Sequence, residues 1–192
     1  MKPPYLPLLI ALTLSSTCAI AAPWTHNLYF ENDLFVDTDQ SYTNGLRLAW
    51  VSPDIDTYLY DPELPTWLRE INSWFTPLYP DPENNKDNIH RNLVFTIGQQ
   101  IYTPEDFERS TIDPTDRPYA GWLYAGFGYH AKTQNKLNSV EVNIGVIGPA
   151  AFAQEAQDLV HRSRGIDLFQ GWDNQLKNEP GVTNSGFGPG VG

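Results

Sequence analysis

Hydrophobic and polar side chains alternate with a period of two over three long stretches of this chain. From Arg91 to Tyr102, Leu93, Phe95, Ile97 and Ile101 share one side, and Asn92, Thr96, Gly98 and Gln100 share the other. From Tyr119 to His130, Leu123, Ala125, Phe127 and Tyr129 stand opposite glycines, His130 and two further aromatics. Ser139 to Gly148 sets Val140, Val142, Ile144 and Val146 against Ser139, Glu141, Asn143 and Gly145. Successive side chains of a strand point to opposite faces, so this period predicts strands. Two more are predicted earlier, from about Thr25 to Asn32 and from about Ser41 to Ser52. The second points Leu46, Leu48 and Trp50 one way and Gly45, Arg47 and Ala49 the other.

Elsewhere the period changes. Residues 53–90 interrupt the alternation with prolines 53, 62, 65, 77, 80 and 82. A proline-started helix is predicted there over Pro65 to Phe75, gathering Trp67, Leu68, Ile71, Trp74 and Phe75 on one side. It reads either as an interfacial or docking helix or as a cap over one end of the strands. A second helix is predicted over 149–163, opened by Pro149 and continued by good helix formers. Its apolar residues Phe152, Ala153, Ala156, Leu159 and Val160 form one broad side. Gln154, Gln157, Asp158 and His161 fall on the other, which places His161 on a polar face above an outer rim.

Composition narrows the setting. Lys2, the apolar run Leu6 to Leu14 and Ala19-Ile20-Ala21 match the charged, apolar and A-x-A parts of a secretory signal peptide. Residues 1–21 are therefore expected to be a cleaved leader, and 22–192 the mature segment. A membrane helix needs about 20 apolar residues, and prolines 3, 4 and 7 crowd this start. The single cysteine, Cys18, leaves with the leader, which excludes a disulfide framework, a thiolate nucleophile and a thiolate metal site. The chain carries 12 basic and 23 acidic residues, a formal charge of -11, and loss of Lys2 makes it 11 against 23, or -12. That balance argues against a nucleic-acid partner, whose footprint is a basic patch.

No later apolar run is long enough for a membrane helix, but barrel strands need only about 9–11 residues of alternating polarity. A soluble sandwich shows the same alternation. The barrel is favoured by the leader, by aromatics near strand ends (Trp50, Tyr102, Tyr119, Tyr129), and by polar faces rich in Gly, Asn, Thr and Gln that suit a wet lumen. The expected fold class is all-β, an antiparallel transmembrane β-barrel of the outer-membrane type with a helix in an outer loop. With the amino end in the periplasm, the 53–90 insert is periplasmic, where turns are usually short, and residues 103–118 form an outer loop.

Candidate chemistry gathers in two places. The stretch Leu28 to Trp50 concentrates oxygen-bearing side chains (Asn32, Asp33, Asp37, Asp39, Ser41, Thr43, Asn44) that suit a hard cation. Asn32 continues the face of Leu28 and Phe30, whereas Thr43 has the opposite parity to Leu46 and Leu48. Far along the chain, a lone histidine such as His161 is more often structural or exposed than catalytic. Arg109, Arg117, Arg162 and Arg164 fall on the predicted outer side. Arginine binds phosphate through paired, charge-assisted hydrogen bonds, and it equally forms ordinary salt bridges with neighbouring acids.

The blocks LYFENDLF, SYTNGLRL, TDRPYAGWLYAG, IGVIGP followed by a helix ending in QDLVHR, and GWDNQLKNEPG occur in order from about Leu28 to Gly181. Together they resemble the lipid A 3'-O-deacylase (LpxR-type) family of Gram-negative outer-membrane proteins. The resemblance implies a twelve-stranded outer-membrane barrel, of which this chain supplies about five or six strands. It also implies a calcium-dependent site between the barrel wall and an outer-loop helix, and hydrolysis of the ester holding the 3'-linked acyloxyacyl group of lipid A, the lipid partner.

Carried over by motif, Asn32, Asp33 and Thr43 become metal ligands and His161 the catalytic histidine. The family's glutamate six residues beyond that histidine falls on Asp167, a shorter side chain, and Leu34 stands where the family has a second aspartate. Arg109, Arg117, Arg162 and Arg164 become candidate ligands for lipid A phosphates. In such a site a neutral imidazole takes the proton of an attacking water, a carboxylate such as Asp167 or Asp158 fixes its tautomer, and calcium polarises the ester carbonyl. No G-x-S-x-G motif is present. The alternative is a non-enzymatic structural or adhesion barrel of the outer membrane. Because the family continues into further strands after the position of Gly181, a C-terminally truncated member is expected.

Overall fold

Pairing of the alternating segments produces a single meander sheet. In a computed structural model, which describes residues 23–32, 44–55, 57–58, 64–74, 89–134 and 137–187, the strands are β1 (Thr25–Asn32), β2 (Asn44–Val51), β3 (His90–Tyr102), β4 (Ala120–Lys132), β5 (Leu137–Ile147) and β6 (Glu179–Phe187). Each is antiparallel to the next, in the order β1-β2-β3-β4-β5-β6. The ends of β1 to β5 follow the predicted ranges within two residues, except at the start of β2, where 41–43 lie outside the described residues, and β6 had no predicted range. The leader also lies outside them.

The register gives the two faces opposite chemistry. Leu28, Leu48, Ile97, Ala125, Ile144 and Val182 form one continuous row across all six strands, and five of these six are large and exposed. Phe30 and Leu46 extend this apolar surface. On the other face Arg47 pairs with Glu141 at 2.5 Å. The Thr96 hydroxyl donates to Glu141 at 3.1 Å, and Arg47 also lies over the Tyr29 ring. Charged groups cost several kcal/mol in hydrocarbon, so the polar face is the lumen and the apolar face meets lipid. This is the wall of an outer-membrane type barrel, with Arg47 on the lumen side as its parity predicts. Among the described residues no helix is long and apolar enough to cross a membrane.

Small residues let the lumen network close. A Cβ at Gly126 would lie 2.0 Å from both Thr96 Oγ1 and Asn143 Oδ1, so a larger side chain would push apart the groups that surround Glu141.

Helix α1 (Thr66–Trp74) forms within the predicted range, but its apolar residues divide. Leu68 is buried with Ile55, Tyr58, Leu64, Leu93 and Tyr129, and Phe95 and Phe127 pack against this cluster. Leu93, Phe95, Phe127 and Tyr129 share parity with Ile97 and Ala125 in an unbroken register. The helix therefore docks on the outward apolar face, near the end of the sheet where β1 begins, and does not cap the lumen. Trp67 and Trp74 remain exposed, and Phe75 lies outside the described residues.

The helix predicted over 149–163 is two elements. A 3-10 turn, Pro149–Ala151, precedes α2 (Ala153–Arg164), and Phe152 separates them in the left-handed region at φ 56°. The break has a packing cause. A Cβ at Gly121 would come 2.4 Å from the Ala153 Cβ and 3.0 Å from the Ala151 Cβ, so turn and helix are pressed on β4 where that strand lacks a side chain.

Candidate active site

Helix α2 buries a face that mixes the two predicted sides, Ala153 from the apolar one with Gln157 and His161 from the polar one. Ala153, Gln157 and His161 are the buried positions, spaced at i, i+4, i+8 along one face. Leu159 is 71% exposed and Phe152 58%. His161 is therefore buried and does not face water, and the start of α2 packs on the outward face of the wall, against the end of β3 and the start of β4. Ala153 joins Ile101, Tyr119 and Trp172 in a buried cluster, with Ala156 and Phe169 against it. Polar residues tolerate this burial because each has a partner. The buried Trp172 indole N–H donates to Gln157 Oε1 at 2.9 Å, and Gln99 on β3 donates to the Ala151 carbonyl at 2.6 Å.

His161 is held on two sides. Its Nδ1 lies 2.7 Å from the main-chain carbonyl oxygen of Asp167. A carbonyl only accepts, so Nδ1 carries the proton and the neutral ring presents the Nε2 lone pair. The ring also meets Phe169 edge to face, with centroids 4.8 Å apart, and Phe169 stacks on Phe107 at 4.6 Å. The tautomer is thus fixed by the main chain of residue 167. Asp158 does not serve this purpose, since its carboxylate accepts from Arg162 one turn along the helix at 3.3 Å. Asp167 itself is exposed.

The expected metal ligands are only partly in view. Asn32 pairs with Asn44 in the backbone register, and Asn44 with Ile101, which pairs with Gly121. β1 therefore ends on the row over which α2 packs. The side chain of Asn32 and the whole of Asp33 and Thr43 lie outside the described residues. Among the described residues no group of three or more His, Cys, Asp and Glu is placed to hold a metal ion.

The arginines divide into two pairs. Arg109 and Arg117 line a cavity of about 480 Å³ together with Lys177, Asp106, Asp113 and Asp116. Arg109 is ion-paired to Asp113, and Arg117 Nε donates to the Thr103 carbonyl. The side-chain and main-chain donors of Thr115 hold the Asp113 carboxyl below its ordinary range, and Arg109 adds to this. Arg162 and Arg164 sit instead on the exposed last turn of α2. For Arg109 and Arg162, ordinary ion pairs are what the geometry shows.

Sequence reasoning assigned no role to Gln157, Phe169, Trp172 or Gly121, the residues that seat the helix. The signal for Trp172 and Gly121 was present in the GWDNQ and YAGW blocks, but period-based reading gives no weight to an isolated tryptophan or glycine in a loop or at a strand end.

Comparison with known proteins supplies the remaining context. A family model described as outer membrane protein LpxR matches residues 6–185. Among solved structures, LpxR from Salmonella typhimurium is 25% identical with a TM-score of 0.54, over 76% of this chain and 39% of that one. The chain thus spans well under half the length of that relative. No curated protein matches. The family match covers nearly the whole sequence, the solved relative shares the arrangement of the sheet, and the chain belongs to the LpxR family of outer membrane proteins.

Proposed function

We propose that this chain carries the catalytic histidine of a calcium-dependent hydrolase that removes the 3'-linked acyloxyacyl group from lipid A in the outer membrane. One observation carries the reading. His161 is fixed by the Asp167 carbonyl as the tautomer with a free Nε2, on a helix packed against the lipid-facing side of the wall. A base in that position serves a substrate that stays in the membrane, whereas a site for a soluble substrate would open to the lumen or the solvent.

In this reading Nε2 takes a proton from a water as its oxygen attacks the ester carbonyl. The protonated ring then returns that proton to the departing sugar oxygen, so the ester becomes a carboxylic acid and an alcohol. The exposed Leu159 and Phe152 offer apolar surface to acyl chains, and the Asp167 carboxylate assists the base. Arg109 and Arg117, with Lys177, supply the cations for a lipid A phosphate, and Arg162 and Arg164 supplement them at the end of α2.

Asn32, Asp33 and Thr43 would hold the calcium. They are an oxygen-only set that suits a hard cation, and the end of β1 lies on the row beneath α2. When bound, the ion would act as a Lewis acid toward the ester carbonyl.

The test is mass spectrometry of lipid A from cells expressing the protein. Loss of the 3'-linked group is expected, abolished by chelation of calcium and restored when calcium is returned. Unchanged lipid A at every calcium concentration would instead favour a non-enzymatic barrel.

A further inference from the structure

Helix α1 presents three chemically distinct faces. At about 100° per residue, Trp67, Ile71 and Trp74 fall within an arc of about 60°. Leu68 and Asn72 lie about 100° further round, and Thr66, Arg69, Glu70 and Ser73 occupy the rest. The Leu68 and Asn72 face meets the wall. Asn72 is fully buried, its amide donates to the Tyr58 carbonyl at 2.6 Å, and its oxygen accepts from the Tyr129 hydroxyl at 3.2 Å. Those two bonds fix the rotation of the helix about its axis. Trp67 and Trp74 are nevertheless 59% and 76% exposed, so the helix is firmly seated while its largest apolar side chains stay uncovered by the described residues.

The apolar surface on which the helix sits is continuous with the lipid-facing wall. The cluster beneath α1 runs through Leu93 and Tyr129 into Phe95 and Phe127. Phe95 pairs with Trp50 and lies 5.8 Å from the Trp24 ring, which makes an aromatic band at this end of the sheet. Such bands mark membrane interfaces, where an indole is apolar in body and polar at one edge. A helix with one apolar face, one polar face and tryptophans is the kind that lies in the interface plane.

We propose that α1 is an interfacial anchor, with Trp67 and Trp74 seated among the phospholipids of the periplasmic leaflet and Arg69, Glu70 and Ser73 facing water. It sets the depth of the wall in the membrane. Naming the leaflet rests on the function proposed above, which puts α2 on the outer side; the lipid contact itself does not depend on that chemistry.

Spin labels test this. In a Cys18→Ser background, Trp67→Cys, Trp74→Cys, Glu70→Cys and Ser73→Cys are each labelled in outer-membrane preparations, and relaxation by oxygen is compared with relaxation by a water-soluble nickel chelate. The oxygen-to-nickel ratio is expected above one at 67 and 74 and below one at 70 and 73. Nickel-dominated relaxation at all four positions would overturn the proposal in favour of a water-facing helix. Low access of both reagents at 67 and 74 would overturn it in favour of a protein partner or a second copy. All four positions lie on the exposed side, and heat-modifiable migration identical to the parent verifies the fold. A protein that shows the lipid contact but no deacylation separates this proposal from the functional one.

Discussion

At His161 a single hydrogen bond decides which nitrogen can act as a base. Because the acceptor is the main-chain carbonyl of Asp167, side-chain substitutions at 167 leave that acceptor in place. Asp167→Asn is therefore expected to keep the tautomer, read from the ¹⁵N shifts of a histidine-labelled sample, while lowering deacylation at least about tenfold if the carboxylate assists the reaction. His161→Ala removes the base and is expected to lower release of the 3'-linked group by about 10²–10⁴ while the barrel still assembles, as judged by heat-modifiable migration. Activity unchanged in that variant would remove His161 from the mechanism. The sequence offered the histidine and, through the family blocks, the residue six positions on. It could not offer the main-chain contact, since a carbonyl's direction depends on how residues 165–171 fold back over α2 and not on side-chain identity.

At the scale of the element, docking of α2 is set by groups that no periodicity weights. Trp172 is buried with its N–H on Gln157. Replacing it with alanine is expected to cost about 3–5 kcal/mol locally, to release α2 from the wall and to abolish activity. Protease nicking confined to the 149–175 segment, with the barrel intact, would report that release. Gly121→Val is expected to act similarly, because even its Cβ would stand 2.4 Å from the Ala153 Cβ. The boundaries of α1 and the end of α2 were legible from proline and apolar spacing. Which face each helix buries was not. Amphipathicity assumes one apolar core and one aqueous exterior, and here the exterior of both helices includes lipid. Leu159, Trp67 and Trp74 can thus stay outside while Gln157, His161 and Asn72 go in.

Across the whole wall, the Arg47 and Glu141 pair links strands at opposite sides of the six-stranded sheet through the lumen. Glu141→Ala leaves a half-buried guanidinium without its carboxylate, and also removes the nearer of two acceptors of Thr96, leaving Asn143 Oδ1 at 3.4 Å. An unfolding free energy lower by about 1–3 kcal/mol is expected, measured by urea titration in lipid vesicles, and Arg47→Met in the same background should recover part of it. Equal stability of Glu141→Ala and the parent would show that the network adds nothing net.

The sequence by itself determined strands β1 to β5, their alternation and which of their faces is apolar, because those depend only on the period-two geometry of an extended chain. The lumen side of Arg47 followed from the same parity. Tertiary structure decided the pairing that joins Leu28 to Val182 in one row, the docking of both helices on the outer face, and the orientation of His161. These depend on contacts between residues far apart in the chain, such as Gly121 with Ala153, Trp172 with Gln157 and Asn72 with Tyr129, and nothing in their local spacing announces them.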